Sequence, residues 1–222
     1  MSISYQDYCK NCKAAEKVWI VSKRVLNSFI RANKAHEILC QTKVLAVLYC
    51  TLAEAYFCKI LHTPNTLTEI DIANVQDFAN KNGIGKAWLK ILEIGQTKVI
   101  ATRCDRNDKV KNKLSKLIDN YIIDPSVIRN KIAHGQWVVA FNREHTEINN
   151  DIALNQLDCV NIEKSKLALE SIAQLITDIL SSPNKAHMRD YWTIVCNLEE
   201  ELNRRKNWNQ GTKKDDLKRI KR

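Results

Sequence analysis

The chain has 222 residues, of which only five are glycine and three proline, about a third of the average usage of these two residues. That scarcity of turn formers excludes a turn-rich all-β fold and a disordered chain, and no uninterrupted apolar run reaches the roughly 18 residues of a membrane-spanning helix. The formal charge of +10, from 35 Lys and Arg against 25 Asp and Glu, points to an anionic partner such as nucleic acid.

The charge is unevenly placed. Nine basic and two acidic residues lie between Arg204 and Arg222, so residues 1–203 carry only +3. The expected organisation is one helical domain over 1–203 followed by a basic helix end or tail over 204–222. Eight cysteines occur behind a polar amino terminus (Ser2, Tyr5, Gln6, Asp7) that lacks the apolar segment of a secretory signal. This combination suggests unpaired thiols and a cytoplasmic location.

In chain order, Val18, Val21, Val25 and Phe29 recur at helical spacing and predict a buried stripe on a first helix. Val44 to Leu61 is apolar almost all round, with Thr51, Glu54 and Lys59 as its strongly polar members, and predicts the central helix of a bundle with Glu54 buried. Thr63-Pro64-Asn65 closes that helix, and Gly83 and Gly85 separate two short ones. Further stripes follow at Val110, Leu114, Leu117 and Tyr121, then at Leu169, Ile172, Ile176 and Ile179, then at Trp192, Val195 and Leu202. Between them, Val138 to Phe141 and Thr146 to Ile148 flank Asn142-Arg143-Glu144-His145 and predict a short β-hairpin. The fold class is therefore all-α, a helical bundle with a hairpin insertion, with helices near 5–31, 35–62, 68–81, 85–94, 106–121, 125–136, 161–182 and 187–206.

The segment Asp124-Pro125-Ser126-Val127-Ile128-Arg129-Asn130-Lys131-Ile132-Ala133-His134-Gly135 carries the chemistry. Asp124 suits an N-cap, Pro125 the first helical position and Gly135 the helix end. At about 100° per residue, Arg129, Ala133, Asn130 and His134 share one face, while Ile128 and Ile132 point to a core and Lys131 to solvent. Histidine exchanges a proton near neutral pH, and the arginine fork holds a phosphate bidentately. Asn130 is placed to orient either group. RNA supplies its own nucleophile in the 2′-hydroxyl, so positioning, proton transfer and charge stabilisation suffice for cleavage.

Arg129-Asn130-Lys131-Ile132-Ala133-His134, followed by Gly135-Gln136-Trp137, resembles the R-x4-H motif of the HEPN superfamily, with Asn after the Arg. The resemblance covers about residues 35 to 182 and is sharpest at 128 to 137. It implies a helical bundle, a metal-independent endoribonuclease of toxin–antitoxin or antiviral defence systems that requires no cofactor, and products ending in 2′,3′-cyclic phosphate and 5′-hydroxyl. It further implies a homodimer or pseudo-dimer in which two motifs face one cleft, with an antitoxin or other defence protein as a further partner. Some HEPN toxins carry a Tyr two positions after the motif His that their partner modifies; Gln136 stands there in this chain. The alternative is a non-catalytic HEPN-like module that binds RNA or nucleotide, or scaffolds a complex.

The catalytic candidates are accordingly Arg129, Asn130 and His134, with Glu54, Lys131 and Trp137 as supporting residues. Glu54 has Arg129 or His134 as candidate partners within the site, and Lys59 or Arg103 outside it. Cys9 and Cys12, with His36 and Cys40, have the residue types of a tetrahedral zinc set, although unligated thiols are the default. The basic end, with Trp208 between Arg205 and Lys213, combines charge with a stacking ring and suits RNA.

Overall fold

The amphipathic stretches fold as helices throughout. The computed structural model describes residues 4–99, 104–183 and 187–219, with backbone alone at 104–107 and 187–189. Among these residues there are nine α-helices: α1 Tyr5–Arg31, α2 Ala35–Leu61, α3 Glu69–Asn82, α4 Ile84–Thr97, α5 Cys104–Ile118, α6 Asp124–Ala133, α7 Cys159–Ser181, α8 His187–Arg204 and α9 Gln210–Arg219. A π-helical turn, Asp119–Ile123, joins α5 to α6, and a 3-10 turn, Leu154–Gln156, precedes α7.

Starts and stops follow local chemistry. At the head of α3, Thr68 and Asp71 form a reciprocal capping box, each backbone N–H reaching the other's side chain at 3.1 Å. At the head of α7, Asp158 accepts from the Val160 N–H at 2.8 Å. Only three residues link α1 to α2, and Ser22 meets Gln41 while Cys12 meets Ala55, so the two long helices run antiparallel. α2 then packs on α6 and α7, α4 on α5 and α7, and α5 on α8. A Cβ at Gly95 would stand 3.1 Å from Ile179 and 3.3 Å from Leu180, so this glycine sets the close approach of α4 to α7.

The main core gathers Trp19, Tyr49, Leu52, Trp88, Leu114 and Ile172 from five of these helices. A smaller cluster of Ala46, Ile132, Ala140 and Leu154 seats the end of α6 and the following loop on α2. By length and composition α2 is apolar enough to cross a bilayer, beyond the uninterrupted-run criterion, yet half of its most apolar window is buried among the other helices. The structure is thus all-α.

Four expectations are corrected. First, Val18, Val21 and Val25 are exposed, and α1 buries Cys12, Trp19, Ser22, Leu26 and Ile30 instead. Helix α1 has two stripes of similar spacing, and the inward one is interrupted by Ser22. Second, the region 138–148 contains no strand among the described residues, only one antiparallel bridge between Phe141 and Ile148. Asn142 turns the chain there by accepting the Thr146 N–H on its own side chain at 2.9 Å, and the pairing stops at two backbone bonds beside the bridge, Asn142 N–H to the Glu147 carbonyl at 2.9 Å and Asn149 N–H to the Ala140 carbonyl at 2.8 Å.

Third, Asp124 is not an N-cap. The residue before it, Ile123, is helical at φ −72° and ψ −53°, and the chain passes from α5 into α6 without leaving helical backbone. Pro125 has no N–H for the carbonyl four residues back, and its ring crowds that carbonyl. The π turn relieves the clash, and the freed Tyr121 carbonyl accepts from the Tyr49 hydroxyl. Fourth, the chain after 204 is not an extension of α8 or a free tail. It turns at Arg205–Asn207 and returns as α9 onto α1 and α7, where Lys213 is buried against Glu163 and Leu217 joins the core.

Candidate functional site

Helix α6 lies across α2, with Ile132 in the small cluster and Ile128 packed against it, so Arg129 stands on the flank beside α2 and Asn130 one residue further round. The Arg129 guanidinium pairs with the Glu54 carboxylate of α2, and its second nitrogen donates to Asn130 Oδ1 at 3.1 Å. Glu54 is not buried as expected; its side chain is 39% exposed, which removes the desolvation problem of a lone carboxylate and leaves it available to orient Arg129. Lys59 is not its partner, and Arg103 lies outside the described residues.

Glu54, Arg129 and Asn130 form one wall of a cleft of about 550 Å³ whose far side is the α3–α4 turn, with Asn80, Gly83 and Lys86. Ser126 and the indole of Trp88 also line it, and the Trp88 Nε1 is buried without a hydrogen-bond partner among the described residues. Cys50 stands in the same wall, donates to the Pro125 carbonyl at 3.7 Å, and has its thiol pushed up to about 12 by burial, with Arg129 opposing the shift. It is therefore a neutral packing group and not a nucleophile.

His134 follows the last helical residue of α6 as its C-cap, at φ −91° and ψ 21°, with its N–H on the Asn130 carbonyl at 3.1 Å. Gly135, at φ +80°, and Gln136 then donate to the carbonyls of Ile132 and Lys131 at 3.1 and 2.9 Å. These two bonds are the Schellman closure, and the positive φ is why glycine stands there. His134 is exposed, with no side-chain partner among the described residues, one turn beyond Asn130. It is not among the residues lining the Arg129 cleft, so the structure gathers Glu54, Arg129 and Asn130 and leaves the imidazole on the rim.

The supporting residues divide. Lys131 reaches across to the Phe141 carbonyl and so fastens the following loop. Trp137 is 42% exposed and is not part of the core. Its carbonyl accepts from Lys43, whose ammonium also lies 6.0 Å from the indole centroid. Lys43 is buried and was missed because it falls just before the apolar stretch from Val44; a lysine entering an apolar helix was the available signal. Gln136 is buried and accepts the Phe141 N–H at 2.8 Å, a structural bond within the loop.

The four zinc candidates do not converge. Cys40 lies 3.6 Å from the His36 Nε2, but Cys12 sits against Ala55, 15 positions along α2 from Cys40, or about 22 Å at the helical rise. No group of three or more candidate metal ligands occurs among the described residues. Comparison with family models, with curated proteins and with solved structures finds no match to this chain.

Proposed function

We propose that this chain is a HEPN-type endoribonuclease that cleaves RNA by attack of a 2′-hydroxyl, acting as a cytoplasmic homodimer in toxin–antitoxin or antiviral defence. The observation that carries the reading is the assembly of Arg129, Asn130 and Glu54 in one cleft beside an exposed histidine at the end of the same helix. Glu54 aims the guanidinium, and Arg129 then holds the non-bridging phosphate oxygens as charge builds on phosphorus. Asn130 fixes the phosphate or the fork through its amide.

In the step itself the 2′-oxygen loses its proton to a base and bonds to phosphorus, the bond from phosphorus to the 5′-oxygen breaks, and that oxygen takes a proton from an acid. The products are a 2′,3′-cyclic phosphate and a 5′-hydroxyl. A neutral His134 serves as base, and a protonated His134 of a second copy as acid. Exposed apolar residues beside the motif, Trp137 at 42%, Val138 at 62% and Ile148 at 59%, support burial of this end of α6 against another copy. An antitoxin or other defence protein would restrain the activity. The test compares wild type with His134→Ala on mixed RNA in EDTA: cleavage by wild type alone is the expected result, and equal activity or none in either removes the proposal.

The second reading is a non-catalytic RNA- or nucleotide-binding module. The position of His134 outside the Arg129 cleft favours it. Cellular toxicity of the wild type that vanishes in a folded Arg129→Ala variant supports the enzyme; RNA binding without cleavage or toxicity supports the module.

A further inference from the structure

Helix α1 carries an apolar stripe that the bundle does not use. Its inward stripe, from Cys12 through Trp19 and Leu26 to Ile30, is buried, whereas Val18, Val21 and Val25 are 49%, 57% and 40% exposed. With Ala14 and Ser28, also exposed, they alternate at spacings of four and three residues over about 21 Å of helix, which is the seam repeat of a two-stranded coiled coil. Beside the seam run Lys10, Lys17, Arg24 and Arg31, one every seven residues and all exposed. They hold the flanking position ahead of each first seam residue, the position that sets partner choice and orientation in coiled coils. Lys10 pairs with Asp7, while Lys17, Arg24 and Arg31 have no carboxylate partner among the described residues.

We propose that this face docks an amphipathic helix of a partner protein, apolar along its seam and acidic at the flanking heptad positions. Charge complementarity selects that occupant. A second copy aligned antiparallel sets one basic row against the other, and a parallel copy sets the basic row against Ala15, Ser22 and Phe29; neither supplies a carboxylate. A bilayer suits a wide face with Trp, Phe or Leu, and this seam is narrow and built of Val, Ala and Ser. Since α1 is already folded and fixed against α2, the ordering cost of docking falls on the partner helix alone.

The test uses the full-length protein and a labelled synthetic helix of about three heptads, leucine along the seam and glutamate at the flanks, with a matched lysine-flanked helix as control. Fluorescence anisotropy should show saturable binding of the glutamate helix at least roughly tenfold tighter than of the lysine helix, weakening with added salt. Val21→Asp, at an exposed position, should abolish binding while helical content and melting temperature stay unchanged. Lys17→Glu with Arg24→Glu should reverse the preference. Equal binding of both helices, or binding of neither, overturns the proposal. So does a dimer of the full chain that Val21→Asp dissociates, which assigns the seam to a second copy. Binding to phosphatidylserine vesicles that Val21→Asp abolishes, without helix binding, assigns it to a membrane and equally overturns the proposal.

Discussion

The Arg129 guanidinium is paired with the carboxylate of Glu54, 75 positions away in sequence and on another helix. Both side chains keep partial contact with water, at 28% and 39% exposure, so after solvent screening the pair contributes at most about 1 kcal/mol to stability. Its consequence is geometric, because it fixes one edge of the guanidinium and turns the rest toward the cleft. Glu54→Ala should therefore lower kcat for RNA cleavage by about tenfold with little change in KM or melting temperature, and Glu54→Asp should recover part of the loss. A large drop in melting temperature with kcat preserved would make the pair structural only.

The Tyr49 hydroxyl occupies the carbonyl of Tyr121, which Pro125 cannot use. Tyr49 is 1% exposed and the bond is partly buried, so Tyr49→Phe removes the partner of the Tyr121 carbonyl and should cost about 1 kcal/mol in urea unfolding. Pro125→Ala restores an N–H that can reach that carbonyl. In the Pro125→Ala background the cost of Tyr49→Phe should then shrink, and a double-mutant cycle measures the difference. Additive costs would show that the proline is not what frees the acceptor.

The helices were legible in the sequence because their apolar residues recur at helical spacing over many turns, and α2 and α7 bury the residues that pattern selects. Of the motif face, Arg129 and Asn130 were legible as neighbours on one short helix, whereas His134, expected on the same face, is the C-cap and does not line their cleft. What spacing cannot express is the choice between two stripes of equal period, which puts Leu26 and not Val21 in the interior of α1, and the interior partner of a single polar group, such as the Trp137 carbonyl that Lys43 reaches. The short helix α9 has little apolar content of its own, with Lys213 and Leu217 its buried members. It is held by a contact 50 positions away, which no local pattern announces.

Burial sets the alkaline limit of the fold. It pushes the thiols of Cys12 and Cys159 up to about 11 and that of Cys50 to about 12, against 9.0 for an ordinary thiol. Between pH 9.0 and about 11 the unfolded chain loses these protons and the folded chain keeps them, so stability falls as pH rises through that window. Below it these groups contribute no pH dependence. Urea midpoints measured from pH 8 to 11 should be level and then decline, and Cys50→Ala should flatten part of the decline. At pH 8, Cys12, Cys50 and Cys159 should react with a thiol reagent only at the rate of unfolding.

Lys213 and Glu163 are 4% and 7% exposed, and Lys23 approaches the second oxygen of Glu163 at 3.1 Å. This trio docks α9, so deletion of residues 204–222 does more than remove charge: it leaves Glu163 facing a vacated site and uncovers the surface under Leu217. Lys213→Met should cost about 2–3 kcal/mol, less than the about 3–5 kcal/mol of a fully orphaned buried charge, because Lys23 remains. Glu163→Met strands Lys213 with no carboxylate among the described residues and should cost more. The double variant should recover most of the loss, since a well-packed apolar pair replaces two desolvated charges. Urea unfolding ranks the three, and equal costs for the two single variants would show that Lys23 takes no part. On the proposed ribonuclease reading, a contribution of the basic end to RNA binding is read from Lys214, Lys218 and Arg219, of which the first is half-buried and donates to Asn33 at 2.8 Å, while the other two are exposed. Neutralising those three to Gln keeps α9 docked and should lower RNA affinity and its salt dependence without altering cleavage at saturating RNA.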